Sequence, residues 1–142
     1  GKGWREQVRR QELPNWHLDK IATLSGRTRV CSAIENVHQY RYVSEKVFDA
    51  FAVGAVPAYY ATPTHRVFEF VAPEAMINLV GLDAEAAAER ILSFEPDLPM
   101  AEAWLETVNR LAEKFGDIAS IRDERRRFAE ASLAAILDLV EA

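Results

Sequence analysis

The apolar residues of this chain change period along its length. Arg29 to Ile34 (RVCSAI) is a short apolar run with β-branched residues, bounded by charge. That pattern predicts a buried strand. Val43, Val47, Ala50 and Phe51 then recur at helical spacing, and Gly54 stands where a helix's C-terminal glycine belongs. Ala55 to Tyr60 (AVPAYY) predicts a second strand, entered through Pro57, and Ala75 to Val80 (AMINLV) a third. Between them lie a polar and aromatic loop, Glu35 to Tyr42, and a segment, Pro63 to Val71, with room for one or two helical turns before Pro73. Strand, loop, helix, strand, short helix, strand is an α/β rhythm, and it predicts a parallel sheet.

The flanks read differently. Residues 1–19 are polar, hold Pro14, Trp4 and Trp16, and are expected to be irregular. Asp19 is expected to cap a short helix, Lys20 to Leu24, stopped by Gly26. Beyond the third strand the pattern is helical. Asp83 caps an alanine-rich helix to about Phe94, Pro99 opens a second that ends at Gly116, and Asp117 caps a third to about Val140. The apolar stripe of that last helix is Ile118, Ile121, Phe128, Leu133, Ile136, Leu137 and Val140.

Composition narrows the class. With 142 residues, 49% of them hydrophobic and 27% charged, the chain suits one globular unit with a real core. Cys31 is the single cysteine, so no intrachain disulfide is possible and a reducing compartment fits best. Phe51 to Thr64 is the longest nearly uncharged stretch, and it is too short to cross a bilayer. No signal peptide is recognised at the start, and the opening Gly1 suggests a processed chain or a piece of a longer one. The net charge of −5 hides an asymmetry. Residues 1–71 carry ten Lys/Arg against seven Asp/Glu, and residues 72–142 carry seven against fifteen. Nucleic acid is a poor partner for this balance, whereas a small anionic ligand suits the first half.

The chemistry concentrates in Ala33 to Ala61. Glu35 and Asn36 fall at the carboxyl end of the first strand, where parallel α/β sheets bind ligands. The loop then enters a helix whose first turn holds Ser44, Glu45 and Lys46. Unpaired N–H groups and the helix dipole favour an anion there, and Lys46 adds a full charge suited to a phosphate. Glu45 can accept two hydrogen bonds from a sugar diol; Tyr42 offers a phenol or an aromatic face, and Asn36 an amide. Together they describe a pocket for a nucleotide diphosphate-sugar. The same residues also allow a local reading, in which Glu45 partners the dipole and Lys46 is solvated.

ENVHQYRYVSEKVFDAFAVGAVPAYYATP resembles the α1,3-fucosyltransferases, glycosyltransferase family 10. The shared signature is a strand ending in Glu-Asn, a tyrosine, Thr/Ser-Glu-Lys and a helix ending in Gly-x-Val-Pro. The likeness runs from about residue 20 to about residue 92, through Phe68, Pro73 and Met76 to Leu79. It implies the C-terminal half of a GT-B enzyme. The fold class is then α/β with an incomplete Rossmann-like parallel sheet over residues 1–93, followed by a C-terminal helical extension over 94–142. The implied reaction is inverting transfer of fucose from GDP-fucose to a hydroxyl of an acceptor glycan, with no metal and no further cofactor. By the same resemblance Lys46 contacts the diphosphate and Glu45 the ribose or fucose hydroxyls. Asn36 and Tyr42 line the donor site, Ser44 keeps the hydroxyl of the commoner threonine, and Glu35 orients the loop or touches the donor.

His38 lies in the donor loop and is a possible further contact, whereas His17 and His65 read as loop or surface histidines. The resemblance implies that the general base lies in an N-terminal domain outside this chain, and that a phosphate-contacting arginine lies in an earlier motif of the C-terminal domain, also outside it. Gly1-Lys-Gly reads as the turn after the domain's second strand, which leaves the nucleotide-binding domain incomplete, so the fragment alone is expected to bind donor weakly at best and to transfer nothing. A bacterial, cytoplasmic setting, at the inner face of the membrane if at a membrane at all, fits this picture. A related GT-B enzyme with another nucleotide sugar is one alternative. The other is a non-catalytic module that associates through its C-terminal helices.

Overall fold

In the computed structural model residues 13–141 are described. The expectations placed on Trp4 and Gly1-Lys-Gly lie outside them. Among the described residues are five α-helices and a three-stranded sheet: α1 (Trp16–Leu24), β1 (Val30–Ser32), α2 (Glu45–Ala52), β2 (Val56–Tyr59), β3 (Ile77–Asn78), α3 (Ala84–Leu92), α4 (Leu98–Phe115) and α5 (Ile118–Glu141). The order is β1-β2-β3 and both pairings are parallel, with Cys31 opposite Pro57 and Ala58 opposite Ile77. The chain is α/β, as its rhythm predicts.

The sheet is covered on both faces. Cys31 packs with Ala50, Val53 and Ala55 under Ile21 and Leu24 of α1, while Tyr59 joins Val47 and Phe51 of α2 in the largest cluster. Ala58, Ile77 and Leu79 point the other way, against Ala87 and Ile91 of α3 and Met100 of α4. The alternation of Ala58 and Tyr59 is the period of two that sends neighbouring strand residues to opposite faces. Helix α4 is pinned by polar contacts to the chain beneath it. The Trp104 indole N–H donates to the Ala55 carbonyl at 3.1 Å, and the hydroxyl of fully buried Thr107 accepts from the Ala72 N–H.

The β1–α2–β2 crossover sets up the site. Ser44 caps α2 by accepting the Lys46 N–H, and the helix ends into Gly54, whose φ of +78° is the left-handed geometry that glycine adopts most easily. No α-helix joins β2 to β3; two 3₁₀ turns do so, Arg66–Glu69 and Pro73–Ala75.

Two expectations are corrected at the start of α1. The helix begins at Trp16, so Trp16 to Asp19 are not irregular, and its cap is Asn15, not Asp19. The Asn15 side chain accepts from the N–H groups of His17 and Leu18, and its extended backbone is the usual N-cap conformation. Asp19 accepts instead from the Leu13 N–H. At the other end Asp117 does start α5, accepting from the N–H groups of Ala119 and Ser120. Hydrogen bonds from Ser120 hold the Asp117 carboxyl below its usual range. Gly116 makes the elbow between α4 and α5, where any Cβ would strike the Ala112 carbonyl. Most of the α5 stripe faces solvent: Phe128, Leu133, Ile136, Leu137 and Val140 are all exposed. No helix among the described residues is long and apolar enough to cross a membrane.

Candidate functional site

The carboxyl end of β1 and the first turn of α2 are joined by one carboxylate. Glu35 accepts from the Ser44 N–H and from the Ser44 hydroxyl, each at 2.7 Å, and its side chain is only 6% exposed. The turn of α2 that reads from sequence as an open anion site is therefore partly filled by the protein's own anion. Lys46 folds over the same group. Its ammonium donates to the Ile34 carbonyl and the Asn36 side-chain oxygen at 2.9 Å and lies 3.6 Å from Glu35. Four of the residues singled out in the sequence, Glu35, Asn36, Ser44 and Lys46, thus form one bonded cluster.

Glu45 and Tyr42 stand apart from it. Both are exposed, and neither side chain makes a hydrogen bond or an ion pair among the described residues. Glu45 projects from the first turn of α2 as an acceptor with nothing to accept, which suits a hydroxyl-bearing ligand.

Next to this cluster lies a set of rings that sequence reading only half anticipates. His38 stacks on His65 with centroids 5.3 Å apart and meets Tyr60 edge-on at 4.9 Å. Tyr59 meets His65 edge-on at 5.7 Å. Tyr60 is partly exposed, whereas Tyr59 is wholly buried.

His65 corrects the expectation of a loop or surface histidine: it is 3% exposed, and its Nδ1 accepts from the Val67 N–H at the start of a 3₁₀ turn. Burial lowers its pKa, and the neighbouring His38 adds to that. The phenol of Tyr59 makes no hydrogen bond, although it lies in the field of the Glu35 carboxylate; burial and that negative charge push its pKa up. The signal available in the sequence for both residues is their position, since Tyr59 ends β2 and His65 follows six residues later, meeting it at the carboxyl end of the sheet.

A second buried charge went unread. Asp49, on α2, has a side chain 5% exposed and takes the Lys20 ammonium at 2.9 Å and His17 Nε2 at 3.3 Å, both from α1. It sits among the apolar positions of its helix, and its partners are about thirty residues upstream in sequence. Nearby Cys31 is buried, which raises its thiol pKa even though Lys20 opposes the shift.

No family model, curated protein or solved structure matches this chain. The site therefore speaks through its own geometry. A bonded Glu-Asn-Ser-Lys cluster, one free carboxylate and a fringe of exposed aromatic rings meet where the parallel strands end.

Proposed function

We propose that this chain is the GDP-fucose-binding, C-terminal part of a fucosyltransferase-like inverting glycosyltransferase with a GT-B, Rossmann-like architecture. The observation that carries the reading is the join between Glu35, Ser44, Asn36 and Lys46 at the carboxyl end of β1, with Glu45 left free beside it. Ligands of parallel α/β sheets bind at that end. The cluster holds the Lys46 ammonium among three oxygens, so the cation is placed before a ligand arrives. A diphosphate would take over part of its coordination, while Glu45 accepts from a ribose or fucose diol. Tyr42, and His38 with Tyr60, offer ring faces to the base or the sugar.

The acceptor hydroxyl must lose a proton as it attacks the anomeric carbon with inversion, and the nucleotide diphosphate must leave. In this reading the base comes from another domain of a longer protein. The chain described here supplies binding and charge stabilisation of the leaving diphosphate, with no metal in the scheme. A bacterial cytoplasm, at or near the inner membrane face, is the setting in which we place it.

The test is thermal unfolding of the chain with millimolar GDP, with UDP and GDP-mannose as controls. A ligand at a hundred times its Kd stabilises a fold by about 2.7 kcal/mol, several degrees at this size. The expected result is a shift with the guanine nucleotides that is lost in Lys46→Ala. An equal shift with UDP would favour a glycosyltransferase with another donor, and no shift in the full-length protein would overturn the reading.

A second reading has its own observation. The stripe of α5 from Phe128 to Val140 is exposed, an apolar face that a partner or another copy of the chain would cover. As an interaction module the chain would associate with rising concentration and ignore nucleotides.

A further inference from the structure

Between the donor loop and the α4–α5 elbow lies a cleft of about 370 Å³. Phe48, Phe70 and Phe115 form its floor, packed edge-on or tilted with centroids 5.8–6.5 Å apart. Three arginines line it from three separate elements: Arg41 from the loop, Arg66 from a 3₁₀ turn and Arg125 from α5.

The balance of charge in the cleft is uneven. Arg66 pairs with Glu69, but both are well exposed, so the pair neutralises little. Glu124, the acid that lines the cleft, is taken by Lys114 and by Arg127. Arg41 and Arg125 have no carboxylate partner among the described residues; Arg41 only lies over the Tyr40 ring, 5.7 Å away. The helix itself explains Arg125. Partners on a helix sit three or four residues away, and for Arg125 those positions are Ile121, Arg122, Phe128 and Ala129. Its neighbours Arg126 and Arg127 find Asp123 and Glu124 by the same rule. Like charges gathered from distant parts of a chain repel unless an anion joins them, and guanidiniums bind phosphate and carboxylate in paired hydrogen bonds.

The cleft also adjoins the donor site. Arg41 precedes Tyr42, Arg66 donates its backbone N–H to the Tyr40 carbonyl at 3.0 Å, and Phe48 lies one helical turn from Glu45. We propose that this cleft receives the acceptor and that the acceptor is an acidic sugar, its phosphate or carboxylate held by Arg41, Arg66 and Arg125 and its ring lying on the phenylalanine floor. This rests on the glycosyltransferase reading for the word acceptor; the acidic-sugar site itself does not.

The experiment is an NMR titration of the chain with glucose 6-phosphate and glucuronate, with glucose and inorganic phosphate as controls. It is repeated on the Arg41→Gln/Arg125→Gln double variant, whose substituted side chains are exposed and outside the hydrophobic core. Shifts at arginine side chains and at Phe48 and Phe70 are expected with both acidic sugars and not with glucose, and the double variant should bind about tenfold more weakly or worse. Phosphate alone binding as tightly as glucose 6-phosphate, glucose binding equally well, or affinity unchanged in the double variant would each overturn the proposal. A parallel GDP titration separates the two readings. Acidic-sugar binding without a GDP response would sustain the cleft and count against the donor site, and the reverse would do the opposite.

Discussion

Glu35 and Ser44 stand nine positions apart and are joined by two hydrogen bonds of 2.7 Å, one to the backbone N–H and one to the hydroxyl. This fixes where the loop after β1 ends and α2 begins. Removing the carboxylate leaves a partly buried N–H without its partner and frees Lys46 from its counter-charge. Glu35→Ala should therefore cost about 2–3 kcal/mol, read as a drop in Tm of several to about ten degrees. Ser44→Ala should cost about 1–2 kcal/mol, and Ser44→Thr close to nothing. A Glu35→Ala protein with native Tm would show that the bridge does not hold the loop.

The buried charge on α2 predicts an asymmetry. The Lys20 side chain is 27% exposed and can swing into water if its partner is lost, whereas the Asp49 side chain, at 5%, cannot. Lys20→Met strands a buried carboxylate with only His17 beside it, while Asp49→Asn keeps an acceptor and strands nothing. Denaturant unfolding should find Lys20→Met the more damaging by about 1–2 kcal/mol. Equal losses would mean that Asp49 is better solvated than its burial indicates.

Acid should loosen the carboxyl end of the sheet through His65. Its folded pKa lies below the unfolded value near 6.5, so the unfolded chain binds the proton more readily. The stability that neutral His65 contributes is full above about pH 6.5 and declines as the pH falls from there toward the lower, folded value. Protonation at Nδ1 would also break the bond from the Val67 N–H. His65→Asn keeps an acceptor for that N–H and removes the titration. Its Tm should be flatter than wild type between pH 7.5 and 5; a parallel decline would assign the acid sensitivity to another group.

Tyr59 offers the opposite case, a polar atom whose removal should help. Its hydroxyl is buried without a hydrogen bond. Tyr59→Phe keeps the ring contacts with His65 and discards an unsatisfied donor, so stability should hold or rise by up to about 1 kcal/mol. A loss above that size would mean the phenol has a partner, Glu35 being the nearest candidate.

Much of this was legible because it is local. The helical spacing of Val43, Val47, Ala50 and Phe51 and the glycine at 54 locate α2, and the apolar run Ala55 to Tyr60 locates β2. What was not legible depends on contacts across the fold. Asn15 and Asp19 are both competent caps, and the choice of Asn15 is set by where the chain turns into α1, with Asp19 left to accept from the Leu13 N–H. Asp49 finds its partners, Lys20 and His17, on another helix, so no pattern along α2 marks it. The α5 stripe was readable as a stripe, but periodicity says nothing of what, if anything, covers it. Lys46 was expected to face a phosphate; its three oxygen neighbours come from a loop whose course no spacing rule predicts.

The bare stripe of α5 has a calorimetric consequence. Heat capacity rises on unfolding because apolar groups become wetted, by about 12–15 cal/mol/K per residue in an ordinary domain. From Phe128 to Val140 the large apolar side chains are already in water, so melting this part of the helix wets little that was dry. A scan of the isolated chain should give a heat-capacity step clearly below the roughly 1.7–2.1 kcal/mol/K that its 142 residues would otherwise command, and a correspondingly flatter stability curve.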